Sequence, residues 1–138
     1  MIHGGDILTY SELQLVAKTE YYHVNNVKLL EYLDQARKVW YQFCLSLNVE
    51  AVIVHISADY KKEVFHNDHL SIRTSIHHIG HTSFTLNQIM LDNKTEELVI
   101  ESTVVLTTID RQSREKVRVP DELRDLLNKD LILNDHLT

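Results

Sequence analysis

The chain has 138 residues, 43% hydrophobic and 25% charged, with a formal net charge of −6, which fits one ordinary globular domain, residues 1–138, large enough to close a core. An acidic chain with no long basic run is not expected to bind nucleic acid, and no apolar run reaches the roughly 20 residues that span a bilayer. The first six residues carry no signal-peptide pattern and Cys44 is the single cysteine, so no intrachain disulfide is possible and a cytoplasmic protein is expected.

Residues 7–18 alternate as a strand does, with Leu13 and Leu15 on one face and Gln14 and Val16 on the other. A polar loop, 19–24, follows, and Asn25 or Asn26 is placed to cap the helix after it. From 27 to about 47, Leu29, Leu30, Leu33, Ala36, Trp40, Phe43, Cys44 and Leu47 recur at helical spacing. That predicts a core helix about 30 Å long at 1.5 Å per residue, with Cys44 as a small packed apolar group. Strands are then expected at 52–56, continuing toward Tyr60, and at 70–77, where Leu70, Ile72, Thr74 and Ile76 alternate with Ser71, Arg73, Ser75 and His77. Gly80 marks a turn, 84–89 alternates again, and 92–95 is a second turn. The longest strand is expected at 98–109, rich in Val, Ile and Thr. A hairpin-like stretch at 111–114 leads toward a short strand near Val117, and 120–127 starts a terminal helix with Pro120 near its first turn.

Three glycines and one proline are too few for a many-turned β-sandwich. A long apolar helix followed by a run of antiparallel strands needs the sheet to wrap it, so the fold class is α+β. Four or five strands leave exposed edges, which pairing into a dimer removes.

The most informative stretch is 22–37, where the polar run His23-Val24-Asn25-Asn26 enters the long helix directly. A helix N-terminus offers backbone N–H donors to a substrate group. At these residues the chain resembles the hotdog-fold acyl-CoA thioesterases, specifically the 4-hydroxybenzoyl-CoA thioesterase-like group. That group's signature is roughly Asp-x-Asp-x-x-Gly-His-Val-Asn-Asn, followed by a helix containing Glu-x-Ala-Arg. His23-Val24-Asn25-Asn26 matches in full, and Asp34-Gln35-Ala36-Arg37 matches with Asp for Glu. Asn67-Asp68-His69-Leu70 resembles the Gly-Asp-x-Leu that precedes a strand, and Gly80-His81-Thr82-Ser83-Phe84 resembles the Gly-x-Ser-Ser hairpin. The resemblance runs over nearly the whole chain in order. It implies a hotdog fold, hydrolysis of an acyl-CoA or acyl-carrier-protein thioester, no cofactor beyond the coenzyme A of the substrate, and a homodimer or homotetramer.

It also locates a departure. The family's catalytic Asp falls on Thr19, Glu20 is the nearest carboxylate, and Tyr22 stands where the motif has Gly. By the resemblance, the Asn26 backbone N–H polarises the thioester carbonyl. His23 is a candidate to hold water or act as base, or a structural hydrogen-bonder. Glu20 is a candidate general base or nucleophile, or a solvated carboxylate. Thr19 can position water through its hydroxyl. Asp34 is the alternative catalytic carboxylate, with Glu31, or else the partner of Arg37 in a structural ion pair. Tyr22, Asn25, Arg37, Thr82 and Ser83 are candidates for substrate binding. Arg73, Arg111, Arg114, Lys116 and Arg118 are either contacts for coenzyme A phosphates or solvated charges. His77 and His78 are neighbours on a strand and point to opposite faces, so no metal is expected there or with His81. The missing Asp leaves a second function open, a non-catalytic acyl-CoA or acyl-carrier binding module on the same fold. A hydratase-like hotdog is a third, against which the full His-Val-Asn-Asn match counts.

Overall fold

The structure is a computed structural model and describes residues 9–134; the beginning of the first expected strand, Ile7 and Leu8, lies outside the described residues. Strand β1 (Tyr10–Val16) is followed by helix α1 (Asn26–Ser46), then β2 (Val49–Tyr60), β3 (His69–Ile79), β4 (Ser83–Asp92) and β5 (Leu98–Asp110). A short helix α2 (Asp121–Asp125), a 3-10 turn (Leu126–Asn128) and β6 (Ile132–Leu133) end the described chain. The six strands form one sheet in the order β2-β5-β4-β3-β1-β6. This is the expected α+β arrangement, a long helix wrapped by an antiparallel sheet.

The helix starts where its cap allows. Asn25 is extended, and its side-chain oxygen accepts the Lys28 N–H at 2.9 Å, the usual device for satisfying an orphan donor. Asn26 is therefore the first helical residue and Asn25 the cap. At the other end the Leu47 and Asn48 N–H groups donate to Cys44 and Leu45 carbonyls, and Asn48 takes φ 69°. Asn tolerates that left-handed conformation, and β2 starts at once.

The strand period puts Leu70, Ile72, Thr74 and Ile76 of β3, and Phe84, Leu86, Gln88 and Met90 of β4, in the interior. Trp40 is fully buried and donates its indole N–H to Ser11 Oγ at 2.8 Å. Arg37 is also buried. Its Nη1 donates to Gln88 Oε1 at 2.7 Å and its Nε to Tyr41 Oη at 2.8 Å, while Gln88 Nε2 donates to the Leu33 carbonyl and Thr74 Oγ1. This network meets the rule that a buried polar group needs partners.

Three details differ from expectation. The sheet has six strands, and β6 pairs in parallel with Tyr10 and Ser11 of β1. No strand forms at Val117: a single bridge joins Ile109 to Lys116, and the Val117 N–H donates to the Thr108 carbonyl. The terminal helix tightens into a 3-10 turn from Leu126, while Pro120 stands near its first turn as expected, as the cap residue.

Candidate active site

The loop before α1 is held to the segment that follows β2. The Asn67 N–H donates to the Ala17 carbonyl and the Ala17 N–H to the Asp68 carbonyl, each at 2.8 Å. The Thr19 N–H donates to His66 Nδ1 at 3.1 Å, and the Val24 N–H to the Val64 carbonyl at 2.8 Å. Tyr22 is 82% exposed and meets Phe65 edge-on at 5.6 Å between ring centres. The whole entry into α1 is thus laid along residues 61–68.

Within the first turn of α1, Leu29 N–H donates to the Asn25 carbonyl and Lys28 N–H to the Asn25 side chain. The N–H groups of Asn26 and Val27 have no acceptor among the described residues, as expected for a helix N-terminus. A groove of about 320 Å³ lies there, lined by His23, Asn26, Leu29, Tyr60, Lys61 and Glu63 among others, with Val24 and Val64 buried beneath. Lys62 also borders it, but its ammonium is committed to Asp92 (3.2 Å), Thr95 (3.1 Å) and Glu97 (3.0 Å). The Glu97 hydrogen bond raises the Lys62 pKa, and Lys62 in turn lowers that of Glu97. A larger hollow of about 520 Å³, between Arg73, Ile89, Leu91 and Leu98, lies on the outer face of the sheet, without a helix terminus.

The structure brings His23 and Asn26 together in the groove. Glu20 is exposed on the loop, outside the groove lining, and the Thr19 hydroxyl accepts the Tyr21 N–H at 3.1 Å. Asn25 is engaged as the helix cap. Asp34 and Arg37 form the ion pair read from their spacing, at 3.3 Å, and Tyr41 Oη also donates to Asp34 at 3.4 Å. Burial raises the Tyr41 pKa against the pull of Arg37, so its hydroxyl stays a donor. Thr82 and Ser83 sit at the β3–β4 turn, where Ser83 pairs with Thr107. Tyr60, at the groove, pairs with Ile100 of the same strand β5; the two rows are about 23 Å apart at 3.3 Å per residue.

The basic candidates spread widely. Arg114 binds Glu50 through two nitrogens at 3.0 Å each, Arg118 binds Asp121 at 2.7 Å, and Arg73 stacks 4.0 Å from the Tyr10 ring centre. His77 and His78 are exposed, and no cluster of three or more metal-ligating side chains occurs among the described residues. Burial pushes the Cys44 thiol up to about 12, so it remains a packed thiol rather than a nucleophile. Sequence reasoning missed Tyr60, Lys61 and Glu63 because long-range contacts, the Val24–Val64 hydrogen bond among them, bring their segment to the helix start.

The sequence pattern of the thioesterase-like superfamily matches residues 16–127. The chain is 26% identical over 117 residues to the long-chain acyl-CoA thioesterase FadM of Escherichia coli strain K12, covering 79% of this chain and 87% of the relative. Its fold is similar to that of the probable thioesterase YbaW from Escherichia coli, with a TM-score of 0.73 at 24% identity over 84% of this chain and 95% of the other. It is also similar to a 1,4-dihydroxy-2-naphthoyl-CoA thioesterase from Synechocystis, with a TM-score of 0.74 at 14% identity over 87% and 96% of the two chains. The fold is the hotdog fold of these thioesterases, and with the superfamily pattern matched over most of its length the chain belongs to the thioesterase-like superfamily.

Proposed function

We propose that the protein hydrolyses acyl-CoA thioesters to the free acid and coenzyme A, with the thioester carbonyl seated at the N-terminus of α1. The observation that carries this reading is the uncommitted N–H of Asn26 at the groove, followed on the helix by that of Val27. As water adds to a thioester, negative charge develops on the carbonyl oxygen. Donors fixed in advance by a capped helix stabilise that charge without reorganising. His23, in the same groove, orders the attacking water. Tyr22, exposed at the loop surface, flanks the path of the pantetheine arm.

The aliphatic floor of Val24, Leu29 and Val64 favours a fatty acyl chain, in keeping with the long-chain substrate in the name of the Escherichia coli relative. The carrier in this reading is coenzyme A, the compartment is the cytosol, and no added cofactor is required. None of the helices of the described residues is long and apolar enough to cross a membrane.

The assembly is a homodimer joined along β2. That strand occupies one edge of the sheet and exposes Val54, Ile56 and Tyr60. An edge of this kind invites a second strand. A two-fold axis through its middle lays the start of the second copy's β2 beside this chain's Tyr60, closing the groove, and turns the second copy's β3–β4 end toward it. Thr82 and Ser83 then line the substrate channel of the neighbouring copy.

Purified protein, incubated with acyl-CoAs from long-chain to aromatic and a thiol reagent, should release coenzyme A above the enzyme-free rate, fastest with a long chain and unchanged by EDTA. Binding without release supports the second reading, a non-catalytic acyl-CoA binding module, which Thr19 at the family's Asp position favours. Light scattering on the same sample should give the mass of two 16.1 kDa chains.

A further inference from the structure

We propose that Glu63 is the general base of the hydrolysis, serving where the loop has Thr19 in place of a carboxylate. The assignment rests on the acyl-CoA hydrolase reading and names its proton acceptor. Position comes first. The Val24–Val64 hydrogen bond, 2.8 Å long, holds residues 61–64 against the chain that enters α1. Glu63 is next to one end of that bond, Asn26 is two residues from the other, and both line the groove.

The other carboxylates are committed or displaced. Asp92 and Glu97 hold Lys62, and Glu31 pairs with Lys28 at 3.4 Å. Asp68 accepts the Phe65 N–H at 2.8 Å. Asp34 is engaged by Arg37 and Tyr41 and lies about 12 Å along the helix from Asn26 at 1.5 Å per residue. Glu20 does not line the groove. Glu63 is the one carboxylate that does, and no ion pair engages it among the described residues. Its neighbour Lys61 is exposed at the same rim.

The step balances within the groove. Glu63 takes a proton from water as the water oxygen bonds to the thioester carbon. The carbonyl pair moves onto oxygen, where the Asn26 and Val27 N–H groups hold it. Return of that pair breaks the carbon–sulfur bond, and the leaving sulfur takes the proton from Glu63. The products are the carboxylic acid and the thiol, and Glu63 is again a carboxylate.

The test is a set of kinetic measurements on the intact protein with the acyl-CoA that the wild type turns over best. Glu63→Gln should lower kcat by about 100-fold or more with KM within about threefold. The wild-type kcat/KM should rise with pH as the base ionises, and Glu63→Gln should lose that rise. Glu63→Ala should regain at least about tenfold in rate on addition of formate, a rescue that a structural role does not permit. An active wild type with Glu63→Gln within about threefold of it overturns the assignment, and loss in Glu20→Gln instead moves the base to the loop. Loss in Glu63→Gln with the pH rise intact and no formate rescue also overturns it. A wild type inactive on every acyl-CoA defeats the hydrolase reading itself, and the Glu63 assignment with it.

Discussion

The two ends of α1 sit in opposite surroundings. Around Trp40 and Cys44 the helix is sealed by Phe84, Leu106, Val119 and Leu123, drawn from β4, β5, the segment leading into α2 and α2 itself, all essentially fully buried. At its start, Leu29 and Leu33 pack on Leu70, Ile72 and Ile100, yet Val27, two residues before Leu29, is 60% exposed. The sealed end shows where stability comes from: apolar surface removed from water on every side. The open end shows what the molecule gives up for chemistry. Its first N–H groups lack partners among the described residues, and Leu29 borders a groove as well as the core. One helix serves both because its face changes along its length while its backbone stays continuous.

The comparison can be broken most severely at the sealed end. Trp40→Ala removes the largest fully buried side chain and its hydrogen bond to Ser11. It should cost about 4 kcal/mol in urea unfolding, and a loss below about 1 kcal/mol would show that this end is not the core. Midway along the helix, Arg37→Met keeps the packing volume but leaves Gln88 Oε1 without its buried donor. A destabilisation of about 2 kcal/mol is expected, with Gln88→Leu added to the same chain recovering part of it. At the open end, Asn25→Ala should cost only about 1 kcal/mol through the lost cap. Because it frays the turn that presents the Asn26 and Val27 amides, turnover should fall further than stability does, and Asn25→Asp should preserve both. Equal turnover in Asn25→Ala and wild type would separate the helix start from the reaction.

The sealed end was far more legible in the sequence than the open one. The apolar spacing from Leu29 to Leu47 fixes α1 to within about a residue at each end, and the alternation in β3, β4 and β5 sets which face is buried. Periodicity carries that information locally. His23 and Asn26 were legible through their motif, and Asn25 through the chemistry of caps. Nothing local marks β6, whose pairing depends on the Tyr10 N–H reaching the Leu131 carbonyl. Nor does any local pattern reveal that residues 61–64 line the helix start. The low glycine count agrees with the few, economical turns of this fold. Turns that glycine often makes are made here by Asn48, Asn67, Glu96 and Arg114, all at positive φ. The strain at Arg114 is held by its paired contact with Glu50.

The Trp40–Ser11 contact gives the molecule an optical property. Trp40 is the chain's single tryptophan. With its ring fully enclosed and its N–H fixed on a hydroxyl, its ultraviolet emission belongs to an apolar site with one polar neighbour. That light originates several helical turns from the groove. Its maximum should shift when water reaches the sealed end, so a wavelength scan reports unfolding there.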